Sequence, residues 1–476
     1  MTTRPEEHDP RFAQGGTGLP IEPHEGLAPV VVTSERQASE IVTGDLRTTT
    51  LKIAIPAVAA SLLMTLFASV DAYWVGRKLG PSALAAVSTS LFYIWMAVAL
   101  GEMVGVGLTS VAARRHGEGR HEEATRVAGD AIVFSLILGA LLSAIGTLML
   151  PKLFTMLGTN AEVSALGRRY LGTYLIGLPL IYGFFAVDAT FRAAGDTRTP
   201  LLLLVGSVGV TLVLDPLLIL GLAGFPELGI VGAAIATLAT RGVVFAGGCA
   251  IAMRRGLLKL GRVSRASIIA VCRVGLPTAV TGIVFSIIYI GIARIATPFG
   301  TPALAALGIG HRVESWLFMV GVGFGAATAA IVGQNLGAGR PDRAEKAGWI
   351  AAAYCSVLGI ASFASQILAP EWLAGIFSTD PAVIREAASY LRIAAVSQLA
   401  ISLEMVLDGA LGGAGDTVPP MVASTTLSVL RIPLAAFAAT HWGTAGIWWV
   451  ISLTACGRAL ALVLLWRSRR WLRKSV

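Results

Sequence analysis

The sequence has few charged residues for its length. Only 14% of its 476 residues are Asp, Glu, Lys or Arg, whereas 55% are hydrophobic, and soluble domains carry roughly 25% charged residues. A chain of this length can bury a large core, but so few charges cannot solvate the surface around that core. Lipid must therefore cover most of the outside, which excludes an ordinary soluble protein.

Sequence features of metal sites, nucleotide sites and catalytic centres are also missing. The four cysteines lie far apart, mostly in apolar segments, and no pair has metal-ligand spacing. The glycine-rich stretch 321–325 lies inside an apolar run, without the strand–turn–helix context of a phosphate-binding loop. The acidic residues are spread along the chain rather than clustered. We therefore expect no enzyme, no metal and no cofactor, apart from H⁺ or Na⁺ as a coupling ion.

Long apolar runs dominate the sequence after residue 48. A bilayer requires about 20 apolar residues per helix, and the chain offers twelve runs of that length. The predicted spans are 51–75, 85–111, 125–149, 167–190, 200–222, 229–253, 270–296, 303–332, 346–369, 386–411, 419–440 and 445–466. The expected fold class is an all-α integral membrane protein.

The positive charges lie in short gaps between these runs. Arginine and lysine accumulate after the second, sixth and eighth spans and at the C-terminus, as cytoplasmic loops do. The net charge of +9 therefore indicates a membrane surface, and we expect no nucleic acid partner. We expect both termini in the cytoplasm, a location in the plasma membrane, and a disordered polar tail over 1–48.

Several short segments recur at one spacing, which reveals an internal repeat. The spacing between Asp196 and Asp416 is 416 − 196 = 220. Six spans per repeat is an even number, so the halves run parallel about an axis along the membrane normal. We predict two lobes, 49–256 and 257–476. The matched segments are Ala194-Gly195-Asp196-Thr197 with Ala414-Gly415-Asp416-Thr417, Gly117-Glu118-Gly119-Arg120 with Gly337-Ala338-Gly339-Arg340, Ala83-Leu84-Ala85-Ala86 with Ala303-Leu304-Ala305-Ala306, Tyr170-Leu171 with Tyr390-Leu391, Asp188 with Asp408 and, with one residue of slip, Pro56 with Pro277.

The ordered set of these segments resembles the multidrug and toxic compound extrusion (MATE) family from about residue 50 to 466. The segments that carry the resemblance are Pro56, Asp71, Gly80, 83–86, 191–197, 214–216, 332–338 and 412–417. The resemblance implies a twelve-helix, two-lobe transporter that exports organic, often cationic, compounds against inward H⁺ or Na⁺. We expect small organic molecules and membrane lipid as partners, and a monomer. The alternative is a lipid-linked glycan flippase of the same wider superfamily, although the extra helices of such flippases are not evident.

Two acids lie at membrane depth in the first half. Charges there are costly and usually face a cavity. In one branch of the family, acids at the places of Asp71 and Asp215 carry the coupling cation, and the resemblance implies that role here. That branch often has Asn one turn before the second acid, where this chain has Thr211. The alternative is that Asp215 caps or kinks its helix together with Pro216.

A second candidate site lies in the other half. Glu404 and Asp408 are four residues apart, so they project from one face of the tenth span, and another branch of the family uses an acid in this helix. The alternative is a structural hydrogen bond or an ion pair with Arg392 or Arg431. The run 278–292 contains no acid, which favours the first-half site.

Three other acids lie at or near membrane depth. Asp188 is the repeat equivalent of Asp408 and is, like it, an alternative candidate for ion coupling or substrate contact. Glu314 neighbours His311 and Arg312, so we expect either a local ion pair or a gate or substrate contact. The same two interpretations, a local ion pair or a gate or substrate contact, apply to Glu102.

Overall fold

The computed structural model describes residues 40–79, 81–156 and 161–474; within these ranges, the side chains of 67–78, of several positions in 81–92, and of 155, 156 and 301 lie outside the description. The described chain is helical and contains no β-strand. In chain order the helices are α1 (Leu46–Leu79), α2 (Pro81–Gly117), α3 (His121–Met156), α4 (Ala161–Ile176), α5 (Leu178–Ala193), α6 (Arg198–Leu220), α7 (Ile230–Arg254), α8 (Arg265–Ala296), α9 (Thr301–Gly337), α10 (Pro341–Leu368), α11 (Pro370–Gly375), α12 (Pro381–Gly413) and α13 (Val418–Arg467).

In the part of the chain that the structure describes, the helices account for twelve membrane crossings, as the hydropathy predicts. Helices α4 and α5 are two parts of one crossing, bent by 49° at Gly177, next to a proline in the first turn of α5. Helix α13 contains two crossings, because it breaks at Gly443, where φ is 60° and ψ is −146°. Its halves fold back on each other, since Arg431 donates to Thr454 (2.8 Å). The short helix α11 lies between two crossings.

The two halves repeat their contacts as well as their sequence. The hydroxyl of Thr197 donates to the carbonyl oxygen of Ile53 (2.8 Å). In the same way, the hydroxyl of Thr417 donates to the carbonyl oxygen of Val274 (2.7 Å). The two threonine donors are 220 residues apart, and the residues that accept from them are 221 apart. Pro56 and Pro277 are also 221 residues apart, so the one-residue slip in the repeat is the same. The fold is therefore two parallel six-crossing lobes, as predicted.

The contact between the lobes includes one end of the bundle and continues into its interior, where a Cβ on Gly275 would lie 1.9 Å from the carbonyl oxygen of Met103. This end carries the loops 118–120, 255–264 and 338–340 and the C-terminal residues 468–474, and we call it the basic face. An ideal Cβ on Gly117 would lie 2.0 Å from the carbonyl oxygen of Gln334, and one on Gly337 would lie 2.0 Å from that of Arg114. The ends of α2 and α9 therefore cross in backbone contact, with the same geometry on both sides of the pseudo-two-fold axis.

Hydrogen bonds between the lobes extend this contact. Ser110 donates to the carbonyl oxygen of Gly413 (3.2 Å), and the amide of Gln334 donates to that of Ala193 (2.6 Å). Each bond joins a helix of one lobe to the end of the fourth crossing of the other. The structure is therefore closed at the basic face.

Candidate cation-coupling site

Helix α6 places Asp215 and Thr211 on one face, four residues apart, in the interior of the first lobe. Asp215 is completely buried and Thr211 is 2% exposed. Pro216 follows Asp215 inside the helix and removes one backbone hydrogen bond there, because proline has no N–H. The sequence-predicted pair thus occupies a buried, polar stretch of an otherwise apolar helix.

A small group of hydroxyls surrounds Thr211. Its Oγ1 donates to the carbonyl oxygen of Ser207 (3.0 Å) and lies 3.2 Å from Oγ1 of Thr240, which belongs to α7. The next residue, Arg241, is also buried, and its guanidinium lies 4.6 Å from the centroid of the Phe184 ring. Helices α6 and α7 therefore enclose a polar region beneath the apolar surface of the lobe.

Asp71 lies in α1, but its side chain is outside the described part of the structure. The predicted pairing of Asp71 with Asp215 therefore stays a prediction. Thr240 is absent from the predicted site although it contacts Thr211. A hydroxyl inside an apolar helix is a common feature, so the sequence alone offered little reason to select it.

Asp188 forms an ion pair with Arg192, one turn further along α5 (2.9 Å). Both side chains are 22% exposed. Glu102, on α2, is exposed. The ion pair of Asp188 and Arg192 belongs to the first lobe and lies on a different helix from the one that carries Asp215.

The two second-lobe acids, Glu404 and Asp408, lie in different environments, although we expected them to project from one face of their helix. Glu404 is buried and forms an ion pair with Arg458, on the last crossing, with 3.0 Å between the atoms. The guanidinium of Arg458 also donates to Ser428 (3.0 Å). Asp408, one turn further along, is exposed. The second lobe thus supplies an internal cation to its buried carboxylate.

The alternative to a coupling role named Arg392 or Arg431 as an ion-pair partner for Glu404 and Asp408, and both named partners were wrong. Arg392 pairs with Glu371, and Arg431 donates to Thr454 (2.8 Å). The actual partner, Arg458, could have been found from the sequence. It is a charged residue inside an apolar run, which is the same signal that selected Glu404.

Glu314 also contacts residues other than its sequence neighbours. Its two carboxylate oxygens accept hydrogen bonds from the hydroxyl of Tyr390 (2.9 Å) and the amide of Gln398 (3.1 Å). His311 and Arg312 are both exposed, and neither forms a salt bridge with Glu314 in the described structure. The local ion pair was therefore wrong: Glu314 connects α9 to α12.

Comparison with known proteins agrees with this architecture. The MatE family model matches residues 56–217 and 277–437, one match in each lobe. The chain is 29% identical over 452 residues to the probable multidrug resistance protein NorM of Thermotoga maritima, covering 91% of this chain and 94% of that protein. It is 28% identical over 412 residues to the FAD transporter of Shewanella oneidensis, covering 85% and 90% of the two chains.

A solved structure shows the same fold. The outward-facing conformation of a multidrug resistance MATE family transporter matches with a TM-score of 0.84 and 25% identity, over 92% of this chain and 99% of that one. The protein is thus a two-lobed, twelve-crossing membrane transporter and not an enzyme. The chain belongs to the MatE family of efflux transporters.

Proposed function

We propose that the protein is a secondary antiporter that exports organic, mainly cationic compounds, driven by inward H⁺ or Na⁺. Transport proceeds by alternating access, with one lobe rocking against the other. The multidrug names of similar proteins and the parallel two-lobe fold support this proposal. The FAD transporter among those relatives makes FAD a second compound to test.

We propose Asp215, Thr211 and Asp71 as the residues that hold the coupling ion. The observation that carries this assignment is the burial of Asp215 and Thr211, one turn apart on a helix at membrane depth. Asp215 is completely buried. The buried carboxylate of the second lobe, Glu404, has Arg458 within 3.0 Å. An internal arginine already compensates the charge of Glu404, so that carboxylate has less need of a transported cation.

The proposed cycle alternates two cations at the first-lobe carboxylates. A charge at membrane depth must be compensated. When H⁺ or Na⁺ enters from outside and compensates the carboxylates, their attraction for an organic cation falls and the compound leaves. Release of the ion inside restores the negative charge, and the next organic cation can bind.

Export from everted membrane vesicles tests the proposal. H⁺ and Na⁺ gradients are imposed separately, and ethidium and FAD are offered as substrates. We expect one gradient to drive ethidium transport by the wild type and Asp71→Asn to abolish it while the protein remains folded. Full gradient-driven transport by Asp71→Asn would contradict the assignment.

We also propose that the basic face lies in the cytoplasm, with both termini on that side of the plasma membrane. The arginine-rich loops at this face support the orientation. The lobe boundary at 256/257, the disordered tail and the monomeric state stay predictions.

A further inference from the structure

A cavity of about 370 Å³ lies near the basic face, on the outer side of the bundle, between α1, α6 and α10. Its entrance carries three exposed cationic side chains, Arg47, Lys52 and Arg198. Arg47 and Arg198 form no salt bridge within the described residues. The entrance is therefore a concentrated positive surface at the expected edge of the inner leaflet.

The wall of the cavity changes from cationic to apolar with depth. Ile55 and Pro56 lie eight and nine residues beyond Arg47, which is roughly 12–14 Å along the helix. Ile55 is 61% exposed, as an apolar side chain facing lipid would be. Tyr354, on α10, forms the opposite wall. The site is thus amphipathic along the expected membrane normal.

Three acids lie close to the entrance and do not cancel its charge. Glu40 pairs with Lys52, but both side chains are about half exposed, and such surface pairs are weak. Asp45 caps α1 by accepting hydrogen bonds from the backbone N–H and hydroxyl of Thr48. Asp196 accepts a hydrogen bond from the backbone N–H of Arg198 (3.0 Å) and pairs with Arg255. With Arg255 included, four cations and three acids leave 4 − 3 = +1 at the entrance.

The repeat shows that the fold does not require these cations. At the equivalent place in the second lobe, Pro56 corresponds to Pro277 and Ile55 to Leu276, so the apolar wall is retained. Lys52 corresponds to Arg273, but Arg47 and Arg198 are replaced by residues without charge. The residues that replace them are Ile268 and Val418.

We propose that this cavity binds an anionic phospholipid of the inner leaflet, such as phosphatidylglycerol. The phosphate group contacts Arg47, Lys52 and Arg198, and an acyl chain follows Ile55 and Pro56 into the membrane. Basic pockets between transmembrane helices on the cytoplasmic side are known to bind anionic headgroups. Because α1 and α6 belong to the first lobe and α10 to the second, one lipid contacts both lobes and stabilises closure at the basic face.

Native mass spectrometry of the full-length protein tests the site, with phosphatidylglycerol and phosphatidylcholine titrated separately. We expect phosphatidylglycerol to bind more tightly than phosphatidylcholine. The triple variant Arg47→Gln, Lys52→Gln, Arg198→Gln should lose roughly fivefold in phosphatidylglycerol affinity for each charge removed. The matched control is Arg273→Gln, at the equivalent place in the second lobe, and it should leave this binding unchanged.

Three results would overturn the proposal: unchanged phosphatidylglycerol binding by the triple variant, an equal loss in Arg273→Gln, or complete displacement of the lipid by millimolar inorganic phosphate. A gain-of-function variant covers the case in which the triple variant misfolds. Ile268→Arg with Val418→Arg should create a second phosphatidylglycerol site, and its failure to do so would also count against the proposal. These readouts are independent of transport, so they do not depend on the proposed function.

Discussion

The carbonyl oxygen of Gln334 lies only 2.0 Å from where a Cβ atom of Gly117 would be. Gly337 stands in the same relation to Arg114, so the pseudo-two-fold axis passes between two glycine contacts. Since no side chain fits there, the ends of α2 and α9 can meet only through glycine. Closure of the lobes at the basic face therefore depends on these two positions.

We predict that Gly117→Ala destabilises the closed structure by about 1–3 kcal/mol, because the added methyl group forces the backbones apart. Thermal unfolding of the purified protein measures this change. The control is Gly206→Ala, inside α6, where a Cβ would meet nothing within 4 Å. Removing a glycine from a helix should leave that variant unchanged or stabilise it by up to about 1 kcal/mol. Equal unfolding temperatures for the two variants would show that the lobes do not depend on this contact.

The second prediction concerns the buried ion pair of Glu404 and Arg458. Glu404→Gln leaves the guanidinium buried without its anion and should destabilise the protein by about 3–5 kcal/mol. The double variant Glu404→Gln with Arg458→Gln should recover part of that loss. Chemical denaturation of the single and double variants gives the coupling energy between the two positions. Strictly additive losses would mean that the pair does not interact.

Thr211→Val tests the polar region beside Asp215. Valine has a similar shape but lacks the hydroxyl that donates to Ser207 and lies 3.2 Å from Thr240. We expect a stability loss of about 1 kcal/mol and a several-fold weaker dependence of export on the coupling ion. The control is Thr440→Val, an exposed threonine at the end of the first half of α13, which should alter neither quantity. If Thr211→Val and the wild type respond identically to the ion, the hydroxyl has no part in coupling.

The crossings and the repeat could be predicted because they depend on local patterns. Hydropathy located twelve spans, and identical tetrapeptides placed Thr197 and Thr417 at equivalent positions, where their hydrogen bonds confirm the register. The break at Gly443 also lies in the short gap between the last two predicted spans. Each of these features is determined by residues close together in the chain.

The partners of the buried acids could not be predicted in this way. Glu404 and Arg458 are 54 residues apart, and which arginine reaches the carboxylate depends on how each helix is rotated in the bundle. Glu314 shows the same limit: its neighbours His311 and Arg312 are exposed, while its carboxylate contacts Tyr390 on another helix. Proximity in the sequence suggested an ion pair, but the orientation of the helix about its own axis prevents that pair.

Ion-driven ethidium transport in proteoliposomes shows whether coupling resides in the first lobe. Asp215→Asn is compared with the double variant Glu404→Gln, Arg458→Gln, under the same imposed gradient. We predict that Asp215→Asn binds ethidium more weakly and does not transport it with the gradient, while the double variant keeps gradient-driven transport. Wild-type transport by Asp215→Asn, together with loss of transport in a folded double variant, would instead place coupling in the second lobe.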